Sequence, residues 1–314
     1  MAFIKKLIVL SITFITAALV GMGILRLIDK ASYDKISFTV NDTLPDGQGK
    51  KARVILLGGQ SNASGCSRND YLEANVSNEK YSEYENGYDN VYINYLSGAN
   101  QSEGFVKCSV MQGELVDGFG PELGIADKLH EMYPDETLFI IKCAWGGTNL
   151  YEQWLSPTSR GTTGELYKKF VKFVECSMDY LISKNYDAKI EAMCWMQGES
   201  DSIKEHNATR YENNLTNFIK DIRNEFECYA SDDGIAFVDA YIEDIIFWSY
   251  YETINEAKQN VADSCSMNVA IDTIAEGLTT ANEPEEAVDL AHYDALSEIK
   301  LGHLFAENAA KFFD

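Results

Sequence analysis

The chain has 314 residues, 46% of them hydrophobic and 12% aromatic, which is enough for one large domain or two small ones and argues against disorder. Its formal charge of −23 and pI near 4.5 argue against nucleic acid as a partner, because such a surface repels phosphate backbones. The acidic residues are spread along the chain, so they read as a solvated surface and not as an interaction tail.

Lys5 and Lys6 precede an uncharged, mostly apolar run over 7–25, closed by Arg26. That length suits a membrane-spanning helix, and the positive flank would hold residues 1–6 in the cytoplasm. The alternative is a cleaved signal peptide, which has a shorter apolar core and an A-x-A-like site. Either reading exports the remainder, anchored in the cell membrane with its domain outside or secreted. Residues 26–50 are polar, carry a Pro-Asp-Gly turn, and read as a stalk leading to a domain over 51–314.

From Ala52 onward, short apolar runs alternate with segments of helical period. Strands are expected at 53–59, 137–145, 190–198, 234–241 and 267–273. Helices are expected at 121–133, opened by Pro121, at 165–182, 205–226, 250–263 and 295–313. This alternation, with near-continuous apolar strands, predicts an α/β fold with a central parallel sheet of about five strands covered on both faces. Residues 66–118 lack a clear period and read as a long surface excursion that helps shape the site. Seven cysteines occur, an odd number, with no C-x-x-C. Cys143 and Cys194 lie in apolar runs and read as buried residues; others could pair in an oxidising compartment, in a pattern the sequence does not give.

In a parallel sheet, ligands bind beyond the carboxyl ends of the strands. Three of those ends carry unusual residues: GGQSN at 58–62, AWGGTN at 144–149 and WMQGESD at 195–201, with DLAHYD following at 289–294. Each alone suits an ordinary polar turn. Together they supply what acyl transfer by serine needs: a hydroxyl, a base, a group that orients the base, and donors for the oxyanion. Ser61 offers the hydroxyl. Of four histidines, His130 and His206 fall in polar helical segments and His303 within the last helix, which leaves His292 as the base. Asp289, three residues earlier, either orients the imidazole or caps the turn. The Ser61 and Gly146 N–H groups and the Gln197 amide are the expected oxyanion donors. Gln60 and Asn62 flank the serine as positioning groups. Glu199 and Asp201 orient neighbouring loops, or Asp201 caps the next segment. Tyr151 and Trp154 offer sugar-stacking faces or serve as loop packing.

These blocks resemble the SGNH-hydrolase superfamily. GGQSNASG, FGPELGIA, KCAWGGTNLYEQW, WMQGESDS and DLAHYDALSEIKLGHLFA occur in that order across 58 to about 310. Within the superfamily they are similar to the sialate O-acetylesterase-like domain and to carbohydrate esterase family six, which includes acetylxylan esterases. The resemblance implies a three-layer α/β/α fold of flavodoxin-like type and deacetylation of carbohydrate esters without metal or organic cofactor. It implies Ser61 as nucleophile, His292 as base, Asp289 as its partner, and Gly146 or the adjacent Gly147 as oxyanion donor. It places Gln197 where other branches use asparagine. Trp145 is bulkier than the residue relatives often carry before the glycine pair and would narrow the site; Ala63 and Ser297 also depart from the frequent residues. These departures bear on substrate preference.

The expected function is therefore an exported serine esterase acting on O-acetylated carbohydrates, with acetylated xylan or a related glycan as substrate and O-acetylated sialic acid as the alternative. A carbohydrate-binding protein on a decayed esterase fold would be expected to lack Ser61, Asp289 or His292, and all three are present. A nucleotide-binding protein would need a phosphate loop, yet neither G-x-G-x-x-G nor G-x-x-x-x-G-K-[ST] occurs. G-x-S-x-G is missing too, which argues against the α/β-hydrolase fold.

Overall fold

The strand β1 (Lys51–Gly59) is apolar on both faces, and Val54 through Leu57 are fully enclosed, so it requires cover above and below. The computed structural model, which describes residues 33, 35–283 and 288–313, places it at the centre of the sheet. Four residues at Ser61–Ser64 (α1) follow immediately, then α2 (Asn69–Asn75) and α3 (Asn78–Asn86). The strand β2 (Val91–Ser97) comes next, then α4 (Glu122–Met132), β3 (Thr137–Ala144) and α5 (Glu165–Ser183). The chain continues through β4 (Asp187–Met196), α6 (Tyr211–Glu225), β5 (Ala236–Ala240), α7 (Tyr251–Asp263), β6 (Asn268–Ile271) and α8 (Ala295–Ala309).

The parallel strands lie in the order β6-β5-β4-β1-β3-β2, and two short antiparallel segments, Asn100–Gln101 and Val106–Lys107, pair with β2. The expected five strands are all present. The sixth, β2, lies inside the segment read as a surface excursion, which is therefore in part a sheet strand. Helices cover both faces. On one side α2, α3, α4 and α8 enclose Leu72, Tyr84, Phe119, Leu123 and Ile299. On the other, Tyr167 and Phe170 of α5 pack against Phe218 of α6 and Phe226 just beyond it, and Phe218 packs on Trp195 of β4. The architecture is the α/β/α sandwich the sequence predicts. The inward face of α5 is as expected: Leu166, Phe170, Phe173, Val174 and Leu181 are all buried.

The described residues from Phe38 onward fall in the larger of two compact units. The second half of the supposed stalk belongs to the larger unit. Tyr180 Oη accepts from the Thr43 and Leu44 N–H groups, Lys184 pairs with Asp42, and the Gly47 and Gly49 N–H groups donate to Lys184 O and Asn185 O. Polarity alone misread this stretch, because its backbone hydrogen bonds are made to α5 and the turn behind it. The apolar run 7–25 lies outside the described residues. Among the described residues no helix is long and apolar enough to cross a membrane. All seven cysteines are unpaired, and Cys143 and Cys194 are buried as expected.

Register explains how distant motifs meet. Gly59 of β1 pairs with Ala144 of β3 on one side and with Met196 of β4 on the other. The residues that follow these three, Gln60-Ser61, Trp145-Gly146 and Gln197, therefore leave the sheet side by side at its carboxyl edge. The chain passes from β1 to β2 and β3 on one side, then crosses to β4, β5 and β6 on the other. That makes β1 the switch point at which α/β sheets bind ligands.

Candidate active site

Gly59 makes the first decision. It has a φ of +140°, and a Cβ there would lie 2.0 Å from Met196 O, so only glycine fits where β1 turns off the sheet. The turn is held by Gln60 N–H donating to Met196 O at 2.9 Å. Ser61 then opens α1. As the first residue of a helical turn its N–H has no intrahelical partner, which suits an oxyanion donor. Ser61 is 8% exposed, and it lines a cleft of about 500 Å³ together with Gln60, Gly146, Gly147, Ala291 and His292.

His292, the expected base, arrives from a distant part of the chain. His292 Nδ1 and Asp289 Oδ2 are 2.6 Å apart, which leaves Nε2 for the cleft. Asp289 also accepts from the Ala291 N–H at 2.9 Å. Partial burial pushes the Asp289 carboxyl up, but the hydrogen bond to the imidazole, with the Ala291 bond, outweighs it and holds the group below the usual carboxylate range. Asn62 fastens this segment to the serine turn. Its Oδ1 accepts from the Tyr293 N–H at 3.1 Å, and its Nδ2 donates to Glu199 Oε1 at 2.9 Å. Glu199 is itself buried, and desolvation raises its carboxyl above the ordinary value. Asn62 thus ties Glu199 and the segment around His292 to the serine turn through hydrogen bonds.

Gln60 has a similar role, accepting through Oε1 from the Ser200 N–H at 3.1 Å and from the Gln197 amide at 3.3 Å. Gln197 is a correction. It stands at the expected strand end, yet its side chain turns away from the cleft. Its Nε2 donates to Asp201 Oδ2 at 2.7 Å and Thr148 O at 3.0 Å, and its Oε1 accepts from Tyr211 Oη at 3.0 Å. An amide has two N–H bonds, and these partners engage both, so none remains for an oxyanion. Asp201 in turn accepts from Leu150 and Tyr151 N–H, fixing the loop after β3. Burial, opposed by those hydrogen bonds, pushes its carboxyl up to about 6.

Gly146 and Gly147 line the cleft as expected, but the Gly146 N–H is occupied: it donates to Glu114 Oε2 at 2.7 Å. The aromatic expectations divide. Trp154 is fully buried, donates to Thr148 Oγ1 and packs edge-on against Trp195 at 5.2 Å; it is core and offers no sugar-stacking face. Tyr151 meets the His206 ring and lies under Arg210, away from the cleft lining. Trp145 lies under the Lys169 ammonium and is likewise outside the lining. The residues that sequence reasoning missed are Cys66, Glu114, Leu115, Ser200, Ile203 and Trp248. Cys66 is no rival nucleophile, because burial, reinforced by the charge of Glu114, pushes its thiol up to about 12. The one sequence signal for Glu114 is that Gln-Gly-Glu occurs twice, at 112–114 and 197–199.

A larger cavity, about 620 Å³, opens at the opposite edge of the sheet between the first residues of β1, β3 and β4. Among the described residues its lining has no histidine or cysteine, and its Arg53 is paired with Glu136 and Glu191. Ser61 and His292 both line the smaller cleft.

Known proteins resemble this chain in sequence and in fold. A probable carbohydrate esterase of Arabidopsis thaliana, At4g34215, is 33% identical over 112 residues, which is 35% of this chain and 38% of that protein. The solved structure of the same Arabidopsis protein covers 86% of this chain and all of its own, with a TM-score of 0.63 at 20% identity. The crystal structure of NanS covers 86% of this chain and 99% of its own, with a TM-score of 0.61 at 17% identity. Residues 51–311, from the first strand to the end of the last helix, match the family model described as carbohydrate esterase, sialic acid-specific acetylesterase, and the chain belongs to that family of carboxylic ester hydrolases.

Proposed function

We propose that the chain removes O-acetyl groups from carbohydrates by a Ser-His-Asp acyl-enzyme mechanism. The observation that carries this is the meeting of Ser61 and His292 in one cleft, with Asp289 on the imidazole Nδ1 at 2.6 Å. Ser61 Oγ attacks the acetyl carbonyl and His292 Nε2 takes its proton. The oxyanion is held by the Ser61 N–H and by a glycine N–H of the 146–147 pair. Collapse expels the sugar oxygen, which takes the proton from His292. Water, activated by the same imidazole, then hydrolyses the acetyl-enzyme.

The substrate we favour is a neutral acetylated glycan of the acetylxylan kind. Among the described residues, the cleft lining carries Glu114 and neither lysine nor arginine. A sialic acid brings a carboxylate that would meet this charge without a cation to pair it. Apolar side chains of Leu115, Ile203 and Trp248 offer the kind of wall on which a neutral pyranose ring rests. The purified full chain is expected to have a kcat/KM for acetylated xylo-oligosaccharides at least about tenfold above that for O-acetyl sialic acid. Acetate release measured on both decides it, and a preference for the sialate would overturn the substrate assignment.

We also propose that the apolar run 7–25 anchors the chain with its domain outside the cell, on the strength of its length and the Lys5–Lys6 flank. Cell fractionation is expected to find the full-length chain in carbonate-washed membranes, cleavable by protease added to intact cells. Recovery of a shortened chain in the medium would indicate a cleaved signal, and recovery in the cytosol would refute export.

A further inference from the structure

The Gly146 N–H, which the mechanism aims at a substrate oxygen, already holds a carboxylate. Glu114 Oε2 accepts from it at 2.7 Å and from Ser64 Oγ at 2.6 Å. The Glu114 backbone is docked on the nucleophile turn, its N–H donating to Ser64 O and Gly65 O at 2.9 Å each. Its side chain fits between two glycines: a Cβ on Gly98 would meet Glu114 Cγ at 2.8 Å, and one on Gly146 would meet Oε2 at 2.9 Å. Glu114 also lines the cleft beside Ser61 and His292. The arrangement places a fixed carboxylate on an oxyanion donor, which is the contact that acetate, the second product, would make. An N–H has one hydrogen and cannot serve two acceptors at full strength.

We infer that Glu114 is a built-in competitor of the product: its carboxylate yields the Gly146 N–H to the carbonyl of a neutral ester and retakes it to displace acetate. The inference rests on the serine-esterase reading proposed above. In deacylation, water adds to the acetyl carbon and its proton passes to His292. The bond from carbon to Ser61 Oγ then breaks, and Oγ recovers that proton. The acetic acid so formed loses its own proton to solvent at neutral pH. Turnover thus converts a neutral ester into an anion beside Glu114, with no lysine or arginine among the described residues of the cleft lining to offset the repulsion. The incoming ester carries no charge and meets no such penalty, so the carboxylate discriminates between substrate and product at one donor.

The test is acetate inhibition of the purified full chain turning over a neutral chromogenic acetyl ester. Glu114→Gln keeps an oxygen for the Gly146 N–H and removes the charge. Its inhibition constant for acetate is expected to fall about fivefold or more, while Glu114→Asp, which keeps the charge, stays within about twofold of the parent. An active Glu114→Gln enzyme with the parent's acetate inhibition constant would overturn the inference alone. A lower kcat and melting temperature with unmoved acetate inhibition would show a merely structural residue and overturn it equally. A parent chain with no turnover above that of Ser61→Ala would overturn the esterase reading and this inference with it.

Discussion

Ser61→Ala is expected to lower kcat/KM for a chromogenic acetyl ester by about 10³-fold or more, and His292→Ala by a similar factor, because nucleophile and base act as a unit. Combining the two substitutions is expected to cost little beyond either alone, for the same reason. Asp289→Asn is expected to lose less, by about ten- to a hundredfold relative to His292→Ala. Its side chain is 46% exposed, so water can take part of its place on the imidazole, whereas nothing replaces the base. Steady-state rates of acetate release, with melting temperatures recorded alongside, check all of these. Parent-like turnover by Ser61→Ala would end the assignment, and equal losses for Asp289→Asn and His292→Ala would give Asp289 a larger part.

The largest effect on folding is expected at Gly59. An alanine Cβ would sit 2.0 Å from Met196 O, 2.7 Å from its carbonyl carbon and 2.9 Å from the Ala63 Cβ, at a φ that L-residues rarely adopt. The obstructing atoms are the backbone of the adjoining central strand and the floor of the serine turn, so neither can swing aside. Relief requires parting β1 from β4 or unwinding α1. We expect Gly59→Ala to cost about 3 kcal/mol or more and to lower Tm by roughly 5–10 °C. Thermal unfolding of the full chain measures it, and a Tm within about 2 °C of the parent would show that the turn relaxes. Residual folded enzyme should still be impaired, because the substitution displaces Ser61 itself.

How much of this was legible in the sequence follows from the range of the interactions. The five strands showed as unbroken apolar runs because both their faces are covered. The strand β2 did not. Its sequence, VYINYLS, places Asn94 in the core, where Nδ2 donates to Ser177 Oγ and Oδ1 accepts from Ser102 Oγ. A buried amide satisfied by hydrogen bonds looks polar in sequence, so the hydrophobic pattern is broken where the strand is not. The site's backbone was legible for a related reason: glycines and serine at three strand ends fall together once the strands are in register. Side-chain direction was not. The Gln197 amide is aimed by Tyr211 and Asp201, and Trp154 is claimed by Trp195 and Thr148. An aromatic residue after an active-site loop suits a sugar platform and a core wedge equally well until its neighbours are known. Glu114 was hidden because it sits in irregular chain, outside helix or strand, and its meaning comes only from the Gly146 N–H thirty-two positions later.

The bond from the Tyr293 N–H to Asn62 Oδ1 spans 231 positions of sequence. Closing so wide a loop carries an entropic cost that no local helix or turn offsets, so this contact belongs among the late events of folding. During synthesis the Ser61 turn precedes the His292 segment by that whole interval. A nascent chain, or one cut between the two, therefore carries the Ser61 turn without His292 beside it. On the proposed mechanism, hydrolytic power is acquired at one moment, when the segment around His292 docks on the serine turn.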